Sequence, residues 1–133
     1  MDFVLDASIA GCWAFEDEDA SLATAALKRL ASGNAHVPSL WWFELRNLLI
    51  VNERRGRIAE QDTAAFLNFI GRLPITLDNR PDGIALLALA RRHRLTVYDA
   101  AYLELAIRED LSLATLDASL ARAARAERVG LVE

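Results

Sequence analysis

Residues 3–11, FVLDASIAG, and residues 111–124, LSLATLDASLARAA, are built alike: a short apolar run stops at an aspartate and a helix-forming run begins at once. FVL (3–5) and LSLAT (111–115) have the length of strands, and Asp6 and Asp117 stand where a helix cap belongs. Asp-Ala-Ser occurs a third time at 19–21, inside the acidic stretch EDEDAS, with no apolar run before it. The tripeptide alone therefore says little, whereas a strand feeding an aspartate, found at both ends of the chain, says more. Whether Asp117 is only a cap or also a chemical group stays open at this level.

Between these two stretches, short apolar runs alternate with helical ones. HV (36–37) and ITL (75–77) read as strands and VGLV (129–132) as a last one. SIAGCWAF, ASLATAALKRLA, AEQDTAAFLNFIGRL, DGIALLALARRHR, TVYDAAYLELAIRED and ASLARAARAER read as helices. SLWWFELRNLLIVNERRG is another, with a start signal at Ser39 and a stop at Gly56. This alternation predicts an α/β fold, a parallel sheet of four or five strands with helices on both faces. Ligands in such sheets bind beyond the carboxyl ends of the strands, which is where Asp6 and Asp117 fall.

At 133 residues the chain forms one domain, 1–133, and its 53% hydrophobic content excludes a disordered one. No apolar run approaches the ~20 residues of a membrane helix; IALLALA (84–90) is typical of the longest. MDFVLD lacks the basic start of a signal peptide, so the expected location is the cytoplasm. Cys12 is the only cysteine, which excludes an internal disulfide and a thiolate zinc site, and His36 and His93 lack partners at ligand spacing. The net charge of −4 is awkward for a nucleic-acid binder. The arginines are nevertheless grouped, at 54, 55 and 57, at 91, 92 and 94, and at 122, 125 and 128. The last group has the spacing of one helix face; a solvated surface and a phosphate-tracking surface are both compatible with it.

Two further carboxylates sit on apolar faces. Glu44 lies three or four residues from Leu40, Trp41 and Leu48, and its forward neighbours Asn47 and Leu48 supply no cation. A lone ionised carboxylate facing a core needs a partner, either an arginine from another element or a metal. Asp99 shares its face with Tyr102 and Leu103, and is otherwise an N-cap. If Asp6, Glu44, Asp99 and Asp117 converge, each pair at ~4 Å costs about 1 kcal/mol in water and ~4 at an effective dielectric of 20. A divalent cation would relieve that repulsion, and all-oxygen ligands favour Mg²⁺ or Mn²⁺. Such a site can activate water for phosphodiester cleavage.

These residues carry a resemblance. The stretches FVLDAS, VPSLWWFELRNLL, LTVYDAAYLELA, LATLDASLARAA and the final GLV resemble the PIN domain family, and within it the VapC toxins of bacterial toxin–antitoxin pairs. LTVYDAAYLELA is the most specific block, followed by LATLD. The resemblance implies a Mg²⁺- or Mn²⁺-dependent endoribonuclease with an acidic quartet at Asp6, Glu44, Asp99 and Asp117. Ser8 and Thr115 fall where members carry a supporting hydroxyl. It also implies RNA as substrate and a small VapB-like antitoxin as partner. Glu109-Asp110 and Glu127-Arg128 depart from the glycine that many members place before the next strand, which bears on turn geometry rather than on the site.

Two other classes compete. An aspartyl-nucleophile phosphatase needs a second aspartate two residues after Asp6, where Ser8 stands, and a lysine at the site; Lys28, the only lysine, lies in an early helix. A non-catalytic PIN-like binding module would keep the fold without the reaction, but all four acids are present. Trp13, Trp41 and Trp42 exceed what a core of this size requires, so a homodimer is expected.

Overall fold

The computed structural model describes residues 1–15 and 21–133; Asp19, in the third Asp-Ala-Ser, lies outside them. Four strands are described: β1 (Phe3–Leu5), β2 (Ala35–Pro38), β3 (Ile75–Asp78) and β4 (Ser112–Ala114). The helices are α1 (Ala7–Cys12), α2 (Ser21–Arg29), α3 (Leu40–Arg54), α4 (Glu60–Gly71), α5 (Gly83–His93), α6 (Val97–Glu109) and α7 (Ala118–Ala126). The strands form one parallel sheet in the order β3-β2-β1-β4. Phe3, Val4 and Leu5 are each 0% exposed, as an uninterrupted apolar strand covered on both faces should be. β3, at the edge, exposes Thr76 and Leu77.

The strand order fixes where a site can form. The chain runs outward from β1 through β2 to β3, and then β4 returns to the other side of β1. The direction of winding therefore reverses between β1 and β4, and the crevice beyond their carboxyl ends is the place this topology leaves for a ligand. α6 packs against β1, β2 and β4 through a face buried from Ala100 to Ala106. α1 packs against α3, where a Cβ on Gly11 would lie 2.6 Å from Leu48 Cδ1, so a side chain there would oblige Leu48 to move.

The expected elements form, with local differences. VGLV makes no strand: it meets β4 at Leu113 alone, through Leu113 N–H donating to Gly130 O (2.8 Å) and Val132 N–H donating to Leu113 O (3.0 Å). With a single bridging residue no ladder develops, and the sheet has four strands among the described residues. Asp110 (φ 54°) and Arg128 (φ 62°) take the left-handed turns for which the sequence supplies no glycine; aspartate tolerates this region better than arginine does. Arg128 also lies past the end of α7, so Arg122, Arg125 and Arg128 do not share one helix face. Trp41 is buried and Trp13 half-buried, with its indole N–H on Ala23 O (2.9 Å); only Trp42 is left over from the core. No helix among the described residues is long and apolar enough to cross a membrane.

Candidate active site

Asp6 and Asp117 each stand at the N-cap of the helix that follows one of two adjacent strands, yet their side chains do different things. Asp117 caps α7, its Oδ1 accepting from Leu120 N–H (2.9 Å). Asp6 stands at the N-cap of α1 with extended backbone (φ −73°, ψ 144°) but makes no capping bond. Its Oδ2 instead accepts from the hydroxyls of Thr115 (2.6 Å) and Ser8 (2.9 Å), one from each side of the crevice. Thr115 Oγ1 in turn accepts from Asp117 N–H (3.0 Å), and Ser8 Oγ accepts from Leu116 N–H (3.2 Å). The two hydroxyls thus tie the end of β1 to the end of β4 and hold the Asp6 carboxylate in one orientation.

Asp99 is not the cap of α6. That role belongs to Thr96, whose Oγ1 accepts from Asp99 N–H (3.1 Å), leaving Asp99 in the first turn with its carboxylate beside the Thr96 hydroxyl. One turn on, Tyr102 is 0% exposed, and its hydroxyl donates a short hydrogen bond to Glu44 Oε1 while lying 3.4 Å from Ala7 N, which donates to it. Glu44 therefore finds a tyrosine from α6 rather than the arginine considered from sequence. Tyr102 thereby joins α1, α3 and α6 at the site.

The four acids lie close enough to feel one another's charge. Burial pushes the Asp6 carboxyl above the ordinary carboxylate range; the Thr115 and Ser8 hydroxyls act against this, and the charge of Asp117 adds to the rise. Glu44 is raised by burial first, opposed by the Tyr102 hydroxyl and reinforced by the charges of Asp6 and Asp99. Asp99 is raised by burial, then by Asp117 and Asp6. Tyr102 keeps its proton well beyond the ordinary tyrosine range, chiefly through burial, so it is a permanent donor to Glu44.

The described residues contain no three acidic, histidine or cysteine side chains standing close enough to grip one ion as they are arranged. The chemistry of the set still fits Mg²⁺ or Mn²⁺. Every candidate donor is a carboxylate or hydroxyl oxygen. None of the four acids forms an ion pair among the described residues, and three of them hold their charge against the surroundings. Glu104, also on α6, is the informative contrast. It is 3% exposed, but Arg108, one turn away, donates to both its oxygens (2.7 and 3.0 Å) and to both oxygens of Asp78 at the end of β3. That carboxylate is structural, and the (i, i+4) arginine marks it as such in the sequence. Lys28 lies exposed in the last turn of α2 and contributes nothing to the four acids, which removes the lysine a phosphatase would require.

A four-stranded parallel sheet with acidic residues beyond its winding reversal defines a single-domain α/β protein. The chain belongs to the PIN domain family, whose model matches residues 3–126; domains of this family are generally nucleases. No curated protein sequence matches it. Among solved structures, it is similar to PAE2754 from Pyrobaculum aerophilum, with 22% identity and a TM-score of 0.72 over 92% of this chain and 84% of that one. It is also similar to VapBC2 from Rickettsia felis bound to a DNA fragment from their promoter (19% identity, TM-score 0.64, 100% and 98% covered). FitAcB from Neisseria gonorrhoeae matches at 17% identity and a TM-score of 0.59, with 100% and 97% covered.

Proposed function

We propose that the chain is a Mg²⁺- or Mn²⁺-dependent endoribonuclease acting as the toxin of a toxin–antitoxin pair. The observation that carries this reading is the site itself: Asp6, Glu44 and Asp99 are raised by burial and by one another or by Asp117, with no cation among the described residues to offset them. Asp6, Asp99 and Asp117 would hold the metal, and Glu44, oriented by Tyr102, would hold it through water or position that water. A divalent ion bound there supplies an activated water and charge stabilisation for in-line phosphodiester cleavage, leaving a 5′-phosphate and a 3′-hydroxyl. The Ser8 and Thr115 hydroxyls fix the Asp6 carboxylate, so that little orientational freedom is left to lose when charge develops.

The likeness to VapBC2 and FitAcB supports a small antitoxin as partner, and the exposed Trp42 supports a homodimer. The test is cleavage of single-stranded RNA by the purified chain after removal of bound metal. Activity should appear only with added Mg²⁺ or Mn²⁺ and vanish with a chelator; full activity in excess EDTA would defeat the mechanism.

A further inference from the structure

Three of the four acids directly follow an exposed large apolar side chain: Phe43 (69% exposed) precedes Glu44, Tyr98 (66%) precedes Asp99 and Leu116 (50%) precedes Asp117. Single exposed apolar residues are ordinary on a protein surface, but three around one crevice form a border. The fold gathers them there. α3 begins directly beyond the carboxyl end of β2, and α6 begins beside Asp6 and Asp117, whose charges reach Asp99. Phe43 and Tyr98 stand early in those helices, and helical side chains lean toward the N-terminus, so both rings lean toward the acids. Leu116 is tied to the crevice by its N–H, which donates to Ser8 Oγ (3.2 Å). The Phe43 ring meets the Trp42 ring at 70°, with centroids 5.0 Å apart, which steadies it while leaving it exposed. No hydrogen bond or ring contact engages the Tyr98 side chain among the described residues.

We infer that Phe43 and Tyr98 stack on unpaired bases next to the cleaved phosphate, with Leu116 as a further apolar contact. The inference rests on the nuclease reading given above. The charge beside these side chains selects what covers them. Each adjoins a carboxylate that no cation offsets among the described residues, so a second copy docking here would press acids against acids as water left. A phosphate, by contrast, meets carboxylates through a shared divalent ion, and a single strand of RNA offers flat base faces to the rings. A base paired in a duplex hides its faces in the stack, so the grip selects single-stranded RNA. Because every base has a π-face, it also tolerates sequence.

Binding of a fluorescently labelled single-stranded RNA to the full chain, read by anisotropy with Ca²⁺ in place of Mg²⁺, tests this. Phe43→Leu and Tyr98→Leu keep an apolar surface and delete the ring. Each should weaken binding by roughly five- to a hundredfold, as loss of one stacked base does. Tyr98→Phe keeps the ring and should bind as the wild type does. The rise in melting temperature on adding Mn²⁺ should stay at the wild-type value in all three, because the acids are untouched. An abasic strand of the same length should bind the wild type more weakly and lose nothing further in either leucine variant; its comparison with the intact strand on the wild type decides the matter if a variant folds poorly. Wild-type affinity in both leucine variants, or equal affinity of the wild type for intact and abasic strands, would overturn the proposal and leave the rim to a protein partner. A changed oligomeric state in Phe43→Leu would assign that ring to a subunit contact and overturn its part. A wild type that cleaves no RNA with Mg²⁺ or Mn²⁺ would bring down the nuclease reading, and this inference with it.

Discussion

Replacing Asp117 with asparagine separates its two roles. Asparagine caps as well as aspartate, so Oδ1 can keep the bond from Leu120 N–H. What is lost is a negative charge, with two opposite consequences. Its attraction to the α7 N-terminus, about 0.3–1 kcal/mol, disappears. Its repulsion of Asp6 and Asp99 also disappears, a relief on the order of 1 kcal/mol at intermediate dielectric. The metal-free protein should thus change in stability by less than about 1 kcal/mol, only a few degrees in melting temperature for a domain of this size. Metal response is where the variant should differ. An ion at a hundred times its dissociation constant stabilises the wild type by about 2.7 kcal/mol; a tenfold loss of affinity cuts that to about 1.4. Cleavage should fall by orders of magnitude. Asp82→Asn is the control, since Asp82 caps α5 through bonds from Ile84 and Ala85 N–H and stands clear of the acids; it should alter neither property. The assay is a thermal melt of the three proteins with and without Mn²⁺, alongside RNA cleavage. If Asp117→Asn keeps the wild-type metal response and activity, Asp117 is a cap and nothing more.

Tyr102→Phe keeps the ring and deletes the hydroxyl that donates to Glu44, so it should cost about 1–3 kcal/mol at neutral pH in a urea melt. In Glu44→Gln the same change should cost measurably less, and equal costs in the two backgrounds would mean the pair is not coupled. Arg108→Met strands the buried Glu104 and should cost about 3–5 kcal/mol, much of it recovered by adding Glu104→Leu; a single variant within 1 kcal/mol of wild type would refute the network's role. Glu127, held below its ordinary range by His93 and then Arg92, should stabilise the fold at all pH above about 4.5 and lose that contribution as pH falls through its depressed value. Glu127→Gln should therefore be less stable than wild type at pH 6 and indistinguishable from it in strong acid; a gap that persists there would assign the effect to shape rather than charge.

The order of strands and helices was legible in the sequence because each element carries its own period and caps, and those are local properties. Asp82 and Thr96 start helices where the chain says they should, and FVL is a strand because it is apolar throughout and followed by an aspartate. The four acids drew notice in the sequence as carboxylates where a folded chain would not leave them unpartnered, and the structure sets them within reach of one another's charge. Three things were not legible. The failure of VGLV to extend the sheet depends on how few residues α7 and its left-handed turn leave facing β4. The division of labour between Asp6 and Asp117, alike in sequence, was settled by Thr115 and Ser8 reaching one of them across the β1–β4 gap. The partner of Glu44 came from 58 residues away, on a helix brought against β1 by the sheet's winding. Local chemistry selects elements and suspects; long-range packing alone brings a tyrosine to a glutamate, because their contact depends on where three helices cross and not on any spacing along the chain.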